Sequence, residues 1–278
     1  MKYIRSINWL SERLNDSNVC IVDCRFHLAD TAAGEKEYGK AHIPGAFYAH
    51  LDRDLSGEKN IHGGRHPLPD LEAFRKTAES YGITDETIVI AYDNGDAMFA
   101  GRFWWLLSYI GHSHVYILDG GFAEWEKQGL PVSTEVPVPK EGCLSMNVRH
   151  DWLVSIEEVK RAALEKDGTV LIDSRAPERY AGKVEPLDRV AGHIPTAVNF
   201  FFQEGLRHSF WKSAEEQKAR FKQLDPSQPV IVYCGSGVSA TPNIIALKQA
   251  DFAHVRLYAG SYSDWSSYEE LPVEKEKQ

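Results

Sequence analysis

Cys234 stands where an apolar run, Val230 to Tyr233, gives way to Gly235-Ser236-Gly237, and a helical pattern, VSATPNIIALKQA, begins directly after. The order reads as strand, tight turn and helix. Glycines at such a junction let the backbone curl so that successive amide N–H groups point inward, and the free N–H groups of the first helical turn add partial positive charge. A thiolate held in that cradle is stabilised as a nucleophile. The competing reading is a buried structural cysteine at a strand end.

The elements around this loop occur twice. IVDCR at 21–25 answers LIDSR at 171–175, and AHIPGA at 41–46 answers GHIPTA at 192–197. Further on, IVIAYD (88–93) answers VIVYC (230–234), and Trp125 after YILDGGFAE answers Trp265 after RLYAGSYSD. Anchors repeated in one order imply a duplicated domain. The spacing between partners shrinks after the HIP segments, so the first copy carries extra residues, placed in the loop SGEKNIHGGRHPLP. Within each copy short β-branched runs alternate with helical patterns, which predicts an α/β fold with a largely parallel sheet. The opening MKYIRSINWLSERL reads as a first helix. The stretch PVSTEVPVPKEG is proline-rich and reads as a linker. The expected organisation is therefore a domain over 1–133, a linker over 134–149 and a second domain over 150–278.

Composition agrees with that reading. At 278 residues, 43% hydrophobic and 26% charged, the chain has material for two ordinary cores, and no apolar run nears the ~20 residues that span a bilayer. A formal charge of −9, with no Lys/Arg cluster, argues against a nucleic-acid partner. The N-terminal segment lacks a secretory pattern, so the expectation is a soluble cytoplasmic protein without a membrane partner. Four scattered cysteines (Cys20, Cys24, Cys143, Cys234) do not make a disulfide scaffold, and their function would be thiol chemistry. Cys20 and Cys24 lack a second Cys/His pair at ligand spacing, so no metal is expected. Phe99, Phe103, Trp104, Leu107 and Ile110 follow helical spacing and are expected in the core.

The motif CGSGVSA (234–240), the two HIP segments, the aspartates of IVD and LID, and the duplicated layout resemble the tandem-domain rhodanese sulfurtransferases over nearly the whole chain. Within that family the loop is similar to that of members using 3-mercaptopyruvate. Members using thiosulfate usually carry basic residues after the cysteine. The contrast has a physical basis, because a dianion benefits from cations that Gly235 and Ser236 do not supply. Cysteine phosphatases share the loop type but grip phosphoryl oxygens with an arginine six residues on. Ala240 and Thr241 stand there.

The resemblance implies two tandem rhodanese-like domains, each a mostly parallel sheet flanked by helices, and sulfur transfer through a Cys234 persulfide with no cofactor. It implies Arg179 as the binder of the substrate carboxylate, Arg189 as a second candidate, and the loop residues Gly235, Gly237, Val238 and Ser239 around the donor. It also implies a Ser/His/Asp relay of Ser236, His66 and Asp52, for which His62 competes; the bland reading of Asp52, as of Asp54, is an acid that caps or solvates its loop. The first domain has Asp93 at the cysteine's place and would be silent in sulfur transfer. The expected partners are a small sulfur donor and a thiol acceptor such as thioredoxin, or cyanide in a test tube. Thr196, Ser239, Ala259 and Tyr262 depart from the commoner pattern, which keeps a thiosulfate:cyanide sulfurtransferase as runner-up. A non-catalytic binding module is the rival of another class. His42 and His193, and the pairs Asp23/Arg25 and Asp173/Arg175, recur in both copies and read as structural supports.

Overall fold

The computed structural model describes residues 1–138 and 141–276, so residues 139–140 of the expected linker lie outside the described residues. The chain forms two compact units. The first comprises Met1–Gly57, Leu68–Arg149 and His208–Trp211; the second comprises Glu58–Pro67, His150–Arg207 and the chain from Lys212 onward. This division differs from one cut at the linker. Residues 58–67, the heart of the first copy's insertion, pack with the second unit because polar groups there fasten them. Gly63 N–H donates to Asp264 Oδ1 (2.7 Å), Arg65 N–H donates to Ser263 Oγ (3.1 Å), and His62 bonds Ser267 Oγ (2.7 Å) while its ring stacks on Tyr268. Residues 208–211 join the first unit, where Trp211 N–H donates to Asp119 (2.8 Å).

Among the described residues, the first unit carries strands β1 (Ile4–Arg5), β2 (Val19–Asp23), β3 (Ala46–Tyr48), β4 (Ile88–Tyr92) and β5 (Val115–Leu118), all paired in parallel in the order β1-β5-β4-β2-β3. The second carries β6 (Val170–Asp173), β7 (Val198–Asn199) and the short β8 (Leu206–Arg207); β9 (Phe210–Trp211) lies in the segment of the first unit, and β10 (Val230–Tyr233) and β11 (Val255–Leu257) return to the second. Its parallel sheet runs β11-β10-β6-β7, and a single parallel bridge, Leu153 to Leu257, stands where β1 pairs in the first unit. Strands covered on both faces need continuous apolar side chains, and IVIAY and VIVY supply them.

Helices α1 (Ile7–Ser11), α2 (Ala33–Lys40), α3 (Leu51–Asp54), α4 (Leu71–Ser80), α5 (Met98–Tyr109) and α6 (Gly121–Lys127) belong to the first unit. In the second lie α7 (Ile156–Lys160), α8 (Pro177–Tyr180), α9 (Ala214–Arg220), α10 (Ala240–Gln249) and α11 (Ser261–Trp265). Ser155 with Glu158 and Ser213 with Glu216 form capping boxes that start α7 and α9. The aromatic stripe of α5 is buried as its spacing predicts, and the helix is apolar around most of its circumference. The expected opening helix is shorter than its pattern suggests. Ile4 and Arg5 instead pair with Ile117 and Leu118 at the sheet edge, and α1 begins only after the Ser6 cap.

The same polar supports hold both units. His42 and His193 each bond the carbonyl of a tyrosine and stack on its ring, Tyr38 and Tyr180 respectively. Trp125 and Trp265 donate their indole N–H groups to Pro131 O (2.8 Å) and Pro272 O (2.9 Å). At the ends of β2 and β6, Arg25 and Arg175 grip Asp23 and Asp173 with buried bidentate bonds. Their remaining N–H groups reach Ala41 O and Gly192 O, both at 2.6 Å, at the start of each HIP segment. Removing one partner leaves an uncompensated charge in the interior. Asp173→Ala is therefore expected to destabilise the chain by about 3–5 kcal/mol in urea unfolding, far more than a surface Asp→Ala change.

Candidate active site

Cys234 directly follows β10 and is buried, 1% exposed. Its backbone is fixed on both sides: the N–H donates to Ser261 Oγ (3.1 Å), and the carbonyl accepts from Tyr262 N–H (3.0 Å). Gly235 O accepts from Ser263 N–H (2.9 Å), so α11 holds the loop from outside while α10 begins beyond it. Gly237 has φ +75°, and a Cβ there would sit 2.3 Å from Ala259 O, so only glycine fits. At Gly235 a Cβ would lie 2.8 Å from Arg65 Nη2 and 3.3 Å from Arg179 Nη1. Two guanidinium groups thus lie against the backbone of the residue after the cysteine.

Acidic side chains hold these arginines in a chain of alternating charge. Glu185, anchored by Arg175 (3.1 Å), accepts from Arg179 Nη2 at 2.7 Å. Asp188 accepts from Arg179 Nη2 at 2.9 Å and from Arg65 Nη1. Burial, reinforced by the positive charge of Arg179, lowers the Arg65 pKa from its ordinary value, against the attraction of negative charge at Cys234 and Glu185. For Arg175, burial acts the same way, but the Asp173 charge and hydrogen bonds outweigh it and raise the pKa.

Ser236 follows the cysteine by two residues, and its Oγ lies 2.7 Å from His66 Nδ1, with both side chains buried. His66 owes this position to the fastened 58–67 loop. The competing His62 is spent on Ser267 and Tyr268. Val238 O accepts from Thr241 N–H and Oγ1, and Ser239 caps α10 by position, so both belong to the turn that starts the helix. Arg189 donates from Nε to Ser266 O (2.8 Å) and lines a cleft of about 350 Å³ with Lys59, Arg65, Asp188 and Ser263. Asp52 lies on α3 of the first unit, a turn capped by His50 Nδ1, and Asp54 Oδ2 accepts from His50 N–H (2.7 Å).

Arg65 and Asp188 are the groups that sequence reasoning passed over. Arg65 adjoins His66 in a glycine-rich insertion, where spacing gives no direction to a side chain. Asp188 sits in a polar run that reads as a solvated loop.

The first unit builds the same junction around Asp93. Phe122 N–H donates to Asp93 O (2.8 Å) as Tyr262 does to Cys234 O. The Asp93 carboxylate accepts from the N–H groups of Gly95 (2.9 Å), Ala97 (3.1 Å), Phe99 (3.0 Å) and Ala100 (3.1 Å). The junction is an anion cradle, and here the chain's own carboxylate fills it. Burial, with the Asp93 charge beside it, pushes the Asp96 carboxyl up to about 7.

A family model described as a rhodanese-like domain matches the chain twice, over residues 6–128 and 155–268. A Pseudomonas aeruginosa protein named "probable 3-mercaptopyruvate sulfurtransferase" is 39% identical over 271 residues, 95% of each chain. The 3-mercaptopyruvate sulfurtransferase of Escherichia coli is 31% identical over 97% of each chain, and rat thiosulfate sulfurtransferase is 32% identical over 94% of this chain and 90% of its own. Among solved structures, Escherichia coli SseA, described as a 3-mercaptopyruvate sulfotransferase, superposes with a TM-score of 0.82 at 29% identity, covering 95% of this chain and 100% of its own.

The raised Asp96 pKa carries a sign. Between about pH 4 and 7 the folded chain holds a proton that the unfolded chain releases, so this group's contribution to stability falls as pH rises through that window. Asp96→Asn, which keeps the acceptor for Met98 N–H, is expected to gain stability relative to the parent as pH rises from 4 to 7 and to hold that gain above, in urea unfolding at stepped pH.

Proposed function

This chain belongs to the rhodanese-like family and is a sulfurtransferase, and we propose that it takes sulfur from 3-mercaptopyruvate onto Cys234 as a persulfide and passes it to a thiol or to cyanide. The observation that carries this reading is the convergence of Arg65, Arg179 and the Ser236–His66 pair on the loop after Cys234. Arginine forks suit a carboxylate, and the pair beside Gly235 offers one a place next to the nucleophile. The Cys234 thiolate attacks the donor sulfur, forming the S–S bond. The C–S bond breaks with its electron pair on carbon, and the leaving group is the enolate of pyruvate. Ser236, bonded to His66, stands to deliver the proton that converts enolate to pyruvate. By analogy with the amides that hold the Asp93 carboxylate at the matching junction, the N–H groups of the loop would hold the negative charge on sulfur as an oxyanion hole holds oxygen. An acceptor thiolate then attacks the outer sulfur and releases Cys234 as thiolate.

Arg189 lines the adjoining cleft and would meet the donor or acceptor on its way in. Asp52 is the third relay member that the family resemblance implies. The first unit would be silent, since the carboxylate of Asp93 carries no sulfur. A dithiol such as thioredoxin in the cytoplasm is the acceptor setting we favour, in keeping with four free cysteines. Among the described residues no helix is long and apolar enough to cross a membrane. Thiosulfate is the second reading for the donor, favoured by the two cations near the loop.

The donor is tested by initial rates of pyruvate formation from 3-mercaptopyruvate against thiocyanate formation from thiosulfate and cyanide. A high ratio, abolished by Cys234→Ser, is expected; a low ratio moves the donor to thiosulfate. Mass spectrometry should find one added sulfur on Cys234 after donor treatment without acceptor, and its absence overturns the persulfide. Ser236→Ala and His66→Ala are each expected to lower kcat with 3-mercaptopyruvate by about 100-fold or more, and the double variant to fall little further because the two act as a unit.

A further inference from the structure

Asp188 takes no part in the steps above, yet its carboxylate lies between the two cations placed to meet the donor. Its charges can be counted locally. Asp173 balances Arg175, and Glu185 and Asp188 together balance Arg179 and Arg65. Arg65, Arg179, Glu185 and Asp188 therefore carry no net charge among themselves before a donor arrives, with Lys59 and Arg189 lining the adjoining cleft and the Cys234 thiolate as the nucleophile beside them. The acidic side chains are buried, 3% exposed for Glu185 and 2% for Asp188, so water screens them little.

The two acids are not equivalent. Glu185 also accepts from the N–H groups of Leu187 and Asp188, both at 3.1 Å, and from Arg175, so it holds its own turn together. The Asp188 carboxylate spans Arg65 and Arg179. Its charge can be removed without cutting the backbone contacts of that turn.

We propose that Asp188 is a specificity-determining residue: by bridging Arg65 and Arg179 it keeps the donor-binding group neutral, so the site accepts a singly charged donor and discriminates against a doubly charged one. The proposal rests on the reading of these two arginines as donor-binding groups beside Cys234. It also accounts for two cations at the loop without a preference for a dianion. An added unit of positive charge attracts a dianion twice as strongly as a monoanion at the same distance. Releasing the Asp188 charge should therefore move selectivity toward thiosulfate by about tenfold, after allowing for solvent screening.

The test measures kcat/KM for thiosulfate and for 3-mercaptopyruvate, with cyanide as common acceptor, in the parent chain, Asp188→Asn and Arg65→Gln. Asp188→Asn is expected to raise the thiosulfate-to-mercaptopyruvate ratio by about tenfold, chiefly through a lower thiosulfate KM, and to tighten inhibition by sulfate. Arg65→Gln is expected to move the ratio the other way. A folded Asp188→Asn variant that leaves the ratio unchanged while kcat/KM for both donors falls together overturns the proposal and makes Asp188 a support for the turn. Should Asp188→Asn fail to fold, an unchanged ratio in Arg65→Gln overturns it. The parent ratio is judged separately: a parent that prefers thiosulfate overturns the donor reading above, and the direction of the shifts in the variants still decides the role of Asp188.

Discussion

The second unit depends on a line of alternating charges that starts in its core and ends at the nucleophile loop. Asp173, at the end of β6, is buried and would be intolerable there without Arg175. Arg175 reaches Glu185, Glu185 reaches Arg179, and Arg179 shares Asp188 with Arg65. Each ion is held by a neighbour that itself needs holding, so the pieces lock one another. The turn over 185–188, the HIP segment through Gly192 O, and the loop carrying Arg65 and His66 are positioned as one polar network. The apolar sheet beneath it fixes the network's origin.

Comparison of the two units shows which part of this design serves chemistry. In the first unit the line is short: Arg25 closes on Asp23 and on Ala41 O. Its strand-to-helix junction is occupied by the Asp93 carboxylate, bound by four backbone N–H groups. One architecture thus satisfies its anion cradle internally, and the other leaves a thiol there with guanidinium groups beside it. The shared supports, His42 with His193 and Trp125 with Trp265, belong to the fold.

Much of this was legible in the residues. The duplicated anchors, the apolar runs of β4 and β10, the α5 stripe and the Cys-Gly-Ser-Gly junction are local patterns, and local geometry follows from them. The β1 strand escaped notice because two residues carry no period, and its partner β5 lies more than a hundred residues away in sequence. Arg65 escaped because a loop's direction is set by the polar groups that fasten it, here Ser263 and Asp264, which sequence spacing does not connect to it. Asp188 carries no motif of its own, and only the fold brings Arg65 and Arg179 onto it. The Ser236–His66 pair came from family resemblance; the structure adds its distance and the loop that produces it.

Residues 58–67 are encoded within the first repeat and packed in the second unit. Gene modules and chemical modules therefore do not coincide. A fragment cut at the linker would inherit the thiol, the glycine turn and Arg179, and would lose both the imidazole and the other guanidinium. Recombination between relatives faces the same rule: a crossover in the linker exchanges the nucleophile without its proton partner, so a functional chimera must inherit the insertion and the second half from compatible parents. Duplication made two similar halves, and this loop makes their separation costly.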